Sequence, residues 1–129
     1  MEDGLYNDLT YQIIGVSMKV HTTLGPGFTE NIYQKALEKE LFDNKLDFFT
    51  QKVHKVIYKN IEVGTYRSDL FIANKIIVEL KAVAELDLHL AGAQLISYLA
   101  ATKSKVGLIF NFGQRKLEYK RIILPKKLQ

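Results

Sequence analysis

Apolar residues recur with a helical period at the start of the chain. Leu9, Ile13, Val16 and Val20 fall at i, i+4, i+7 and i+11, which predicts an amphipathic helix from Asp8 to about Leu24. Gly25-Pro26-Gly27 ends it. Thr29 is placed to cap a second helix, Glu30 to about Asn44, with Tyr33, Ala36, Leu37, Glu40 and Leu41 on one stripe. The pattern then becomes that of strands. A first strand is expected near Val53–Tyr58, and Lys59-Asn60 and Gly64 turn the chain into a second that carries Asp69. A third ends at Lys81. Asp87 is a good cap for a helix running to about Thr102. Val106 to Phe112 is a continuous apolar run, as in a buried strand, and residues 117–124 alternate as an edge strand before Pro125. The predicted order is α, α, β, β, β, α, β, β, an α/β fold with a mixed central sheet flanked by helices. The 129 residues fit one domain, 1–129, with one core.

The stretch Tyr66 to Lys81 reads as a β-hairpin. Leu70-Phe71-Ile72 and Ile76-Ile77-Val78 are two apolar runs joined by Ala73-Asn74-Lys75, and Asn tolerates the left-handed backbone of a tight turn. With Asn74 as pivot, Asp69 falls across from Glu79 and Phe71 across from Ile77. Regular alternation puts Asp69, Glu79 and Lys81 on one face and Leu70, Ile72, Ile76, Val78 and Leu80 on the other. Directly opposed Cβ atoms lie roughly 4.5–5.5 Å apart, and two carboxylates that close repel unless a cation sits between them. A hard divalent ion with oxygen ligands, Mg²⁺ or Mn²⁺, suits the pair. The alternative is the ordinary wet face of a strand, with Lys81 paired to a carboxylate. Against it, the hairpin is in the most apolar part of the chain, and Phe71 and Ile77 share the acidic face. That combination predicts a central, partly covered position, where opposed acids are costly.

Composition narrows the function classes. No apolar run approaches a membrane span, and Met1 to Tyr6 contain no basic segment followed by an apolar one, so neither a membrane anchor nor a signal peptide is expected. The absence of cysteine excludes disulfides, thiolate catalysis and cysteine zinc sites, and favours a cytoplasmic location. His21, His54 and His89 are far apart and form no metal-binding pair. Net charge is +4, but residues 103–129 carry +7 and the remainder −3. Such asymmetry points to a polyanion, and Lys116 and Lys120 are expected to touch phosphate; a solvated lysine-rich face is the plain alternative. Fifteen of the eighteen basic residues are Lys, which fits backbone contact better than reading of base edges.

Two helical pairs stand out. Glu30 and Tyr33 share a helix face, although an acid in a first turn is also favoured by the helix dipole. Gln94 and Tyr98 share a stripe with Ala91 and Ala101, while Leu88, Leu95 and Leu99 lie on a packing face. A buried Tyr bonded to a Gln is the simpler account of that pair.

Together these residues resemble a known pattern. Asp69-x9-Glu79-Leu80-Lys81 resembles the D…ExK core of the PD-(D/E)XK nuclease superfamily. Gly27-Phe28-Thr29-Glu30-Asn31-Ile32-Tyr33 is similar to the name-giving motif of its GxxExxY family. Val20-His21-x3-Gly25-Pro26-Gly27, Tyr66-Arg67-x-Asp69, Glu79 to Val83, Gln94-x3-Tyr98-Leu99 and Gly107 to Gly113 fit in order, so the resemblance runs from about residue 9 to 124. Ser68 stands where the superfamily's Pro would be.

The resemblance implies a restriction-endonuclease-like core and a metal-dependent nuclease acting on DNA. It implies Glu30, Asp69 and Glu79 as metal ligands with the Leu80 carbonyl, and Lys81 as the residue that orients and helps deprotonate water. It also implies Gln94 and Tyr98 beside the nucleic acid, with Tyr33 supporting Glu30 at the substrate side. A domain this small has little room for a sequence-reading module, so cleavage without strong sequence specificity is expected. The other readings are a nuclease-fold module that binds nucleic acid or protein without cutting, and a structural subunit of a larger complex. A homodimer or a protein partner is compatible with each of them.

Overall fold

In a computed structural model, residues 4–129 of the chain are described. Met1 to Asp3, on which part of the N-terminal expectation rests, lie outside the described residues. The elements are α1 (Asn7–Leu24), α2 (Glu30–Asp43), β1 (Phe48–Tyr58), β2 (Ile61–Ile72), β3 (Ile76–Lys81), α3 (Leu88–Thr102), β4 (Val106–Asn111) and β5 (Glu118–Ile123), with a 3₁₀ turn at Lys126–Leu128. The five strands form one sheet in chain order. All neighbours are antiparallel except β3 and β4, which run parallel because α3 carries the chain back across the sheet.

The helices cover the two faces unequally. α1 and α2 bring Ile13, Val20, Tyr33, Leu37 and Leu41 against Leu70, Ile72, Ile76, Val78, Leu80, Leu108 and Phe110. α3 lays Leu95 and Leu99 against Ile77, Ile109, Ile122 and Leu124. Strand β3 is therefore buried on both sides, as its apolar sequence predicts. Close approach of α3 explains Gly107: a Cβ there would stand 2.7 Å from a Leu95 methyl.

Three expectations need correction. β1 begins at Phe48, five residues before Val53, because Phe48 packs into the α1/α2 core and pairs with Ile72. Thr29 has the extended backbone of a cap residue, but its side chain makes no capping hydrogen bond. Leu117 precedes β5, which starts at Glu118. Asp87 does cap α3, its carboxylate accepting from the Leu90 N–H at 3.0 Å.

β1 and β2 are longer than their neighbours. β3 pairs with β2 only from Leu70 to Ile72, whereas β1 and β2 stay paired out to Tyr58 and Ile61. Residues 52–68 thus leave the sheet as a two-stranded arm.

Candidate active site

The hairpin register is the one expected from the sequence: Ile72 pairs with Ile76, Phe71 with Ile77 and Leu70 with Val78. The ladder stops there, one pair short of Asp69 and Glu79. Asp69 turns its carboxylate into the gap between the parting strands, where Oδ2 accepts the Leu80 N–H at 2.7 Å. The simple picture of two acids facing each other across a regular ladder is thus corrected.

The parting coincides with a change of face. Leu70 and Ile72 pack in the α1/α2 core, but Tyr66 packs in the α3 cluster. The β1–β2 register holds on both sides, with Gln51 and Asp69 left unpaired between Thr50–Leu70 and Lys52–Ser68. Gln51 takes a left-handed backbone, φ 50°, which costs a non-glycine residue about 1–2 kcal/mol. Its side-chain amide donates to Asp69 Oδ1 at 3.4 Å and to Gln34 Oε1 at 3.2 Å. Gln34 in turn donates to the Asp69 carbonyl at 3.3 Å. Glu30 precedes Gln34 by one turn of α2, so this bond brings the start of α2 to the same spot.

Electrostatics registers the gathering. Burial pushes the Glu79 carboxyl up to about 7; the Lys81 charge opposes the shift and Glu30 adds to it. The Glu30 carboxyl is raised by burial and then by Asp69, again with Lys81 opposing. Glu30 is hence within electrostatic reach of Asp69, Glu79 and Lys81.

On the α3 side Glu79 and Lys81 line a cleft of about 240 Å³ together with Tyr66, Arg67, Gln94 and Tyr98; Glu30 and Asp69 do not line it. Gln94 and Tyr98 are at the surface of the cleft, and the simpler account of them as a core pair does not hold. Sequence reasoning gave Tyr66 and Arg67 no role. The Tyr66 hydroxyl donates to Glu79 Oε1. Its ring stacks on Tyr98, 4.1 Å between centroids, and on His54 at 5.7 Å. The available signal was the block Tyr66-Arg67-x-Asp69, which is part of the resemblance but carried no role for either residue. Gln34 and Gln51 gave none.

Tyr33 is fully buried and has no surface to offer a substrate. Its hydroxyl donates to the Gly25 carbonyl at 2.5 Å and accepts the Phe28 N–H at 3.2 Å, and its ring stacks on Phe112. It braces the loop that delivers Glu30, in which Gly25 (φ 70°) and Gly27 (φ 118°) take backbone angles other residues avoid. His21 ties α1 to the loop after β4 through the Gln114 carbonyl at 2.7 Å. Ser68 is buried and bonds His54 Nε2 at 3.0 Å.

Lys81 is held through the backbone. The Phe112 N–H bonds its carbonyl at 2.8 Å. Buried Asn111 clamps the next turn, accepting from the Val83 and Gly113 N–H groups and donating to the Val83 carbonyl. Lys116 and Lys120, expected at phosphate, do not line the cleft. Lys116 lies with Pro26, Ala84 and Arg115 around a shallow depression on the loops, and Lys120 lies over Gly92 of α3.

The donor set fits a hard divalent cation in chemistry: three carboxylates with excess negative charge, one of them half-neutralised near pH 7 by burial. Among the described residues, no three carboxylate or imidazole groups stand close enough to enclose an ion as they are. Glu79 is engaged by Tyr66, and Asp69 by Leu80 and Gln51, so ligation requires these side chains to turn. No helix among the described residues is long and apolar enough to cross a membrane.

Comparison with known proteins gives the family and the fold. The family model described as the PD-(D/E)XK nuclease superfamily matches residues 7–122. Among solved structures, the crystal structure of SSO0001 is similar with a TM-score of 0.54 at 22% identity, over 74% of this chain and 50% of that one. The chain thus spans half the length of that protein, and the likeness is one of fold. No curated protein matches the chain.

Proposed function

The chain belongs to the PD-(D/E)XK nuclease superfamily, and on that premise we propose that it is a metal-dependent nuclease hydrolysing DNA phosphodiester bonds without strong sequence specificity. Within the superfamily we assign it to the GxxExxY family on Gly27, Glu30 and Tyr33. What supports the reading is the electrostatic reach of Glu30 to Asp69, Glu79 and Lys81 near the point where β2 parts from β3, beside a cleft that Glu79, Lys81, Gln94 and Tyr98 line.

Glu30, Asp69 and Glu79, with the Leu80 carbonyl, would hold Mg²⁺ or Mn²⁺. When bound, such an ion acidifies the attacking water and offsets charge building on the phosphate. Lys81 orients the water and neutralises the same phosphate, because it is two residues beyond Glu79 on the same strand. Gln94 and Tyr98 line the approach of the substrate strand, one by hydrogen bonding and the other by its ring face. The absence of cysteine favours a reducing, cytoplasmic setting.

A second reading, a module that binds nucleic acid without cutting it, draws on the carboxylates' existing partners, Tyr66 and the Leu80 N–H. A cleavage assay separates the two. Wild-type protein with Mn²⁺ is expected to cut DNA, Lys81→Met to lose on the order of 10²–10³ in rate while still binding Mn²⁺, and Glu79→Ala to lose both. Activity unchanged in both variants would mean that another site or a contaminant does the cutting.

A further inference from the structure

A second recess lies beside the cleft, between the β1–β2 arm and the C-terminal end of α3. It is a concave groove of about 680 Å³ whose lining includes Lys52, His54, Lys55, Lys59, Thr102 and Lys103. It carries four lysines and no acid. The nearest carboxylate on the arm, Glu62, pairs with Lys55 at 3.8 Å in an exposed contact worth little. The ammonium groups of Lys52 and Lys59 lie over the rings of Phe49 and Tyr58, 4.9 and 5.5 Å from the centroids, with no carboxylate as partner among the described residues.

The two recesses are continuous through aromatic rings. His54 lines the basic groove, Tyr66 and Tyr98 line the cleft, and the three stack in the order His54, Tyr66, Tyr98. The Tyr66 hydroxyl at the centre of the stack reaches Glu79. A chain of phosphates held at Lys81 would pass over these rings and meet the lysines next. Burial and the Lys52 charge both lower the pKa of His54, and the groove's positive charge comes from its lysines.

We propose that the groove between the β1–β2 arm and α3 is the track for the nucleic-acid backbone flanking the cleaved phosphate, with Lys52, Lys55, Lys59 and Lys103 contacting phosphates. This rests on the nuclease reading for the position of the cleaved bond, but not for the binding itself. It also moves the phosphate contacts from the C-terminal segment to the arm. Lys103 is the one residue of that segment in the groove.

The test is salt-dependent binding of fluorescent single- and double-stranded DNA, without divalent metal. Wild-type protein is compared with Lys52→Gln/Lys55→Gln/Lys59→Gln/Lys103→Gln and with a control of equal charge change on the opposite layer, Lys19→Gln/Lys35→Gln/Lys39→Gln/Lys45→Gln. The groove variant is expected to bind at least about tenfold more weakly at low salt, with a log–log salt slope lower by about 3, whereas the control keeps most of both. Circular dichroism of both variants checks the fold. An unchanged affinity and slope in the groove variant, or an equal loss in the control, overturns the proposal. So does a wild-type dimer that dissociates in the groove variant without loss of DNA binding, which would make the groove an interface between copies. Wild-type protein that cuts nothing but loses DNA in the groove variant would overturn the nuclease reading and leave this one standing.

Discussion

Glu79 is the residue whose environment departs furthest from that of a free carboxylate. Its carboxyl titrates near 7 instead of the ordinary 4.5, and burial is the main cause. A raised value means that the folded protein holds the proton more tightly than the unfolded chain. The associated stability is full below about pH 4.5, declines as pH rises through about 7, and is lost above that. In chelator, Glu79→Gln is therefore expected to be about 1–3 kcal/mol more stable than wild type at pH 8 and to match it near pH 4, read by urea unfolding. The same proton competes with a cation. Mn²⁺ affinity is expected to be about tenfold lower at pH 6 than at pH 8, read by calorimetry. Tyr33 tests a structural residue at the same scale. Tyr33→Phe leaves the Gly25 carbonyl and Phe28 N–H without their partner and is expected to cost about 1–3 kcal/mol without changing DNA affinity.

At the scale of elements, the site depends on two strands that separate at the right place. The apolar runs set the register of β2 and β3, because a slip of one residue would turn Leu70, Ile72 and Val78 out of the core. That much was legible in the sequence, as were the helix phases and the cap at Asp87. The change of face through Ser68 and Asp69 was not legible. It falls opposite a left-handed backbone at Gln51, a glutamine with no local preference for that conformation, and it appears only when β1 is seen beside β2. Gln34 and Gln51 were missed for the same reason: their partners lie 35 and 18 residues away, at Asp69. Tyr33 was read as part of the α2 stripe and as support for Glu30, and only its place at the substrate side fails, because it is buried. The clamp on Lys81 offers an element-scale test. Asn111→Ala removes the acceptor of the Val83 and Gly113 N–H groups, so a loss of about 2–4 kcal/mol in unfolding free energy is expected.

Across the whole molecule, the two faces of the sheet divide the work. The α1/α2 layer closes the larger core and delivers Glu30; the α3 layer leaves the cleft and the basic groove open beside the arm. Charge counted along the sequence located the positive segment at the C-terminus, but folding disperses it. Arg121 reaches the Leu5 carbonyl, Lys120 lies on α3 and Lys103 joins the arm's lysines, which come from a part of the chain that is negative on average. Linear charge is a poor guide to surface potential when strands from distant segments meet. The proposed function turns on Asp69 and Glu79 holding a divalent cation where β2 parts from β3. Calorimetric titration of Mn²⁺ at pH 8 into wild type, Asp69→Ala and Glu79→Ala tests it most directly. Saturable binding by the wild type, lost or greatly weakened in both variants, is the predicted result; equal binding by all three proteins would contradict it.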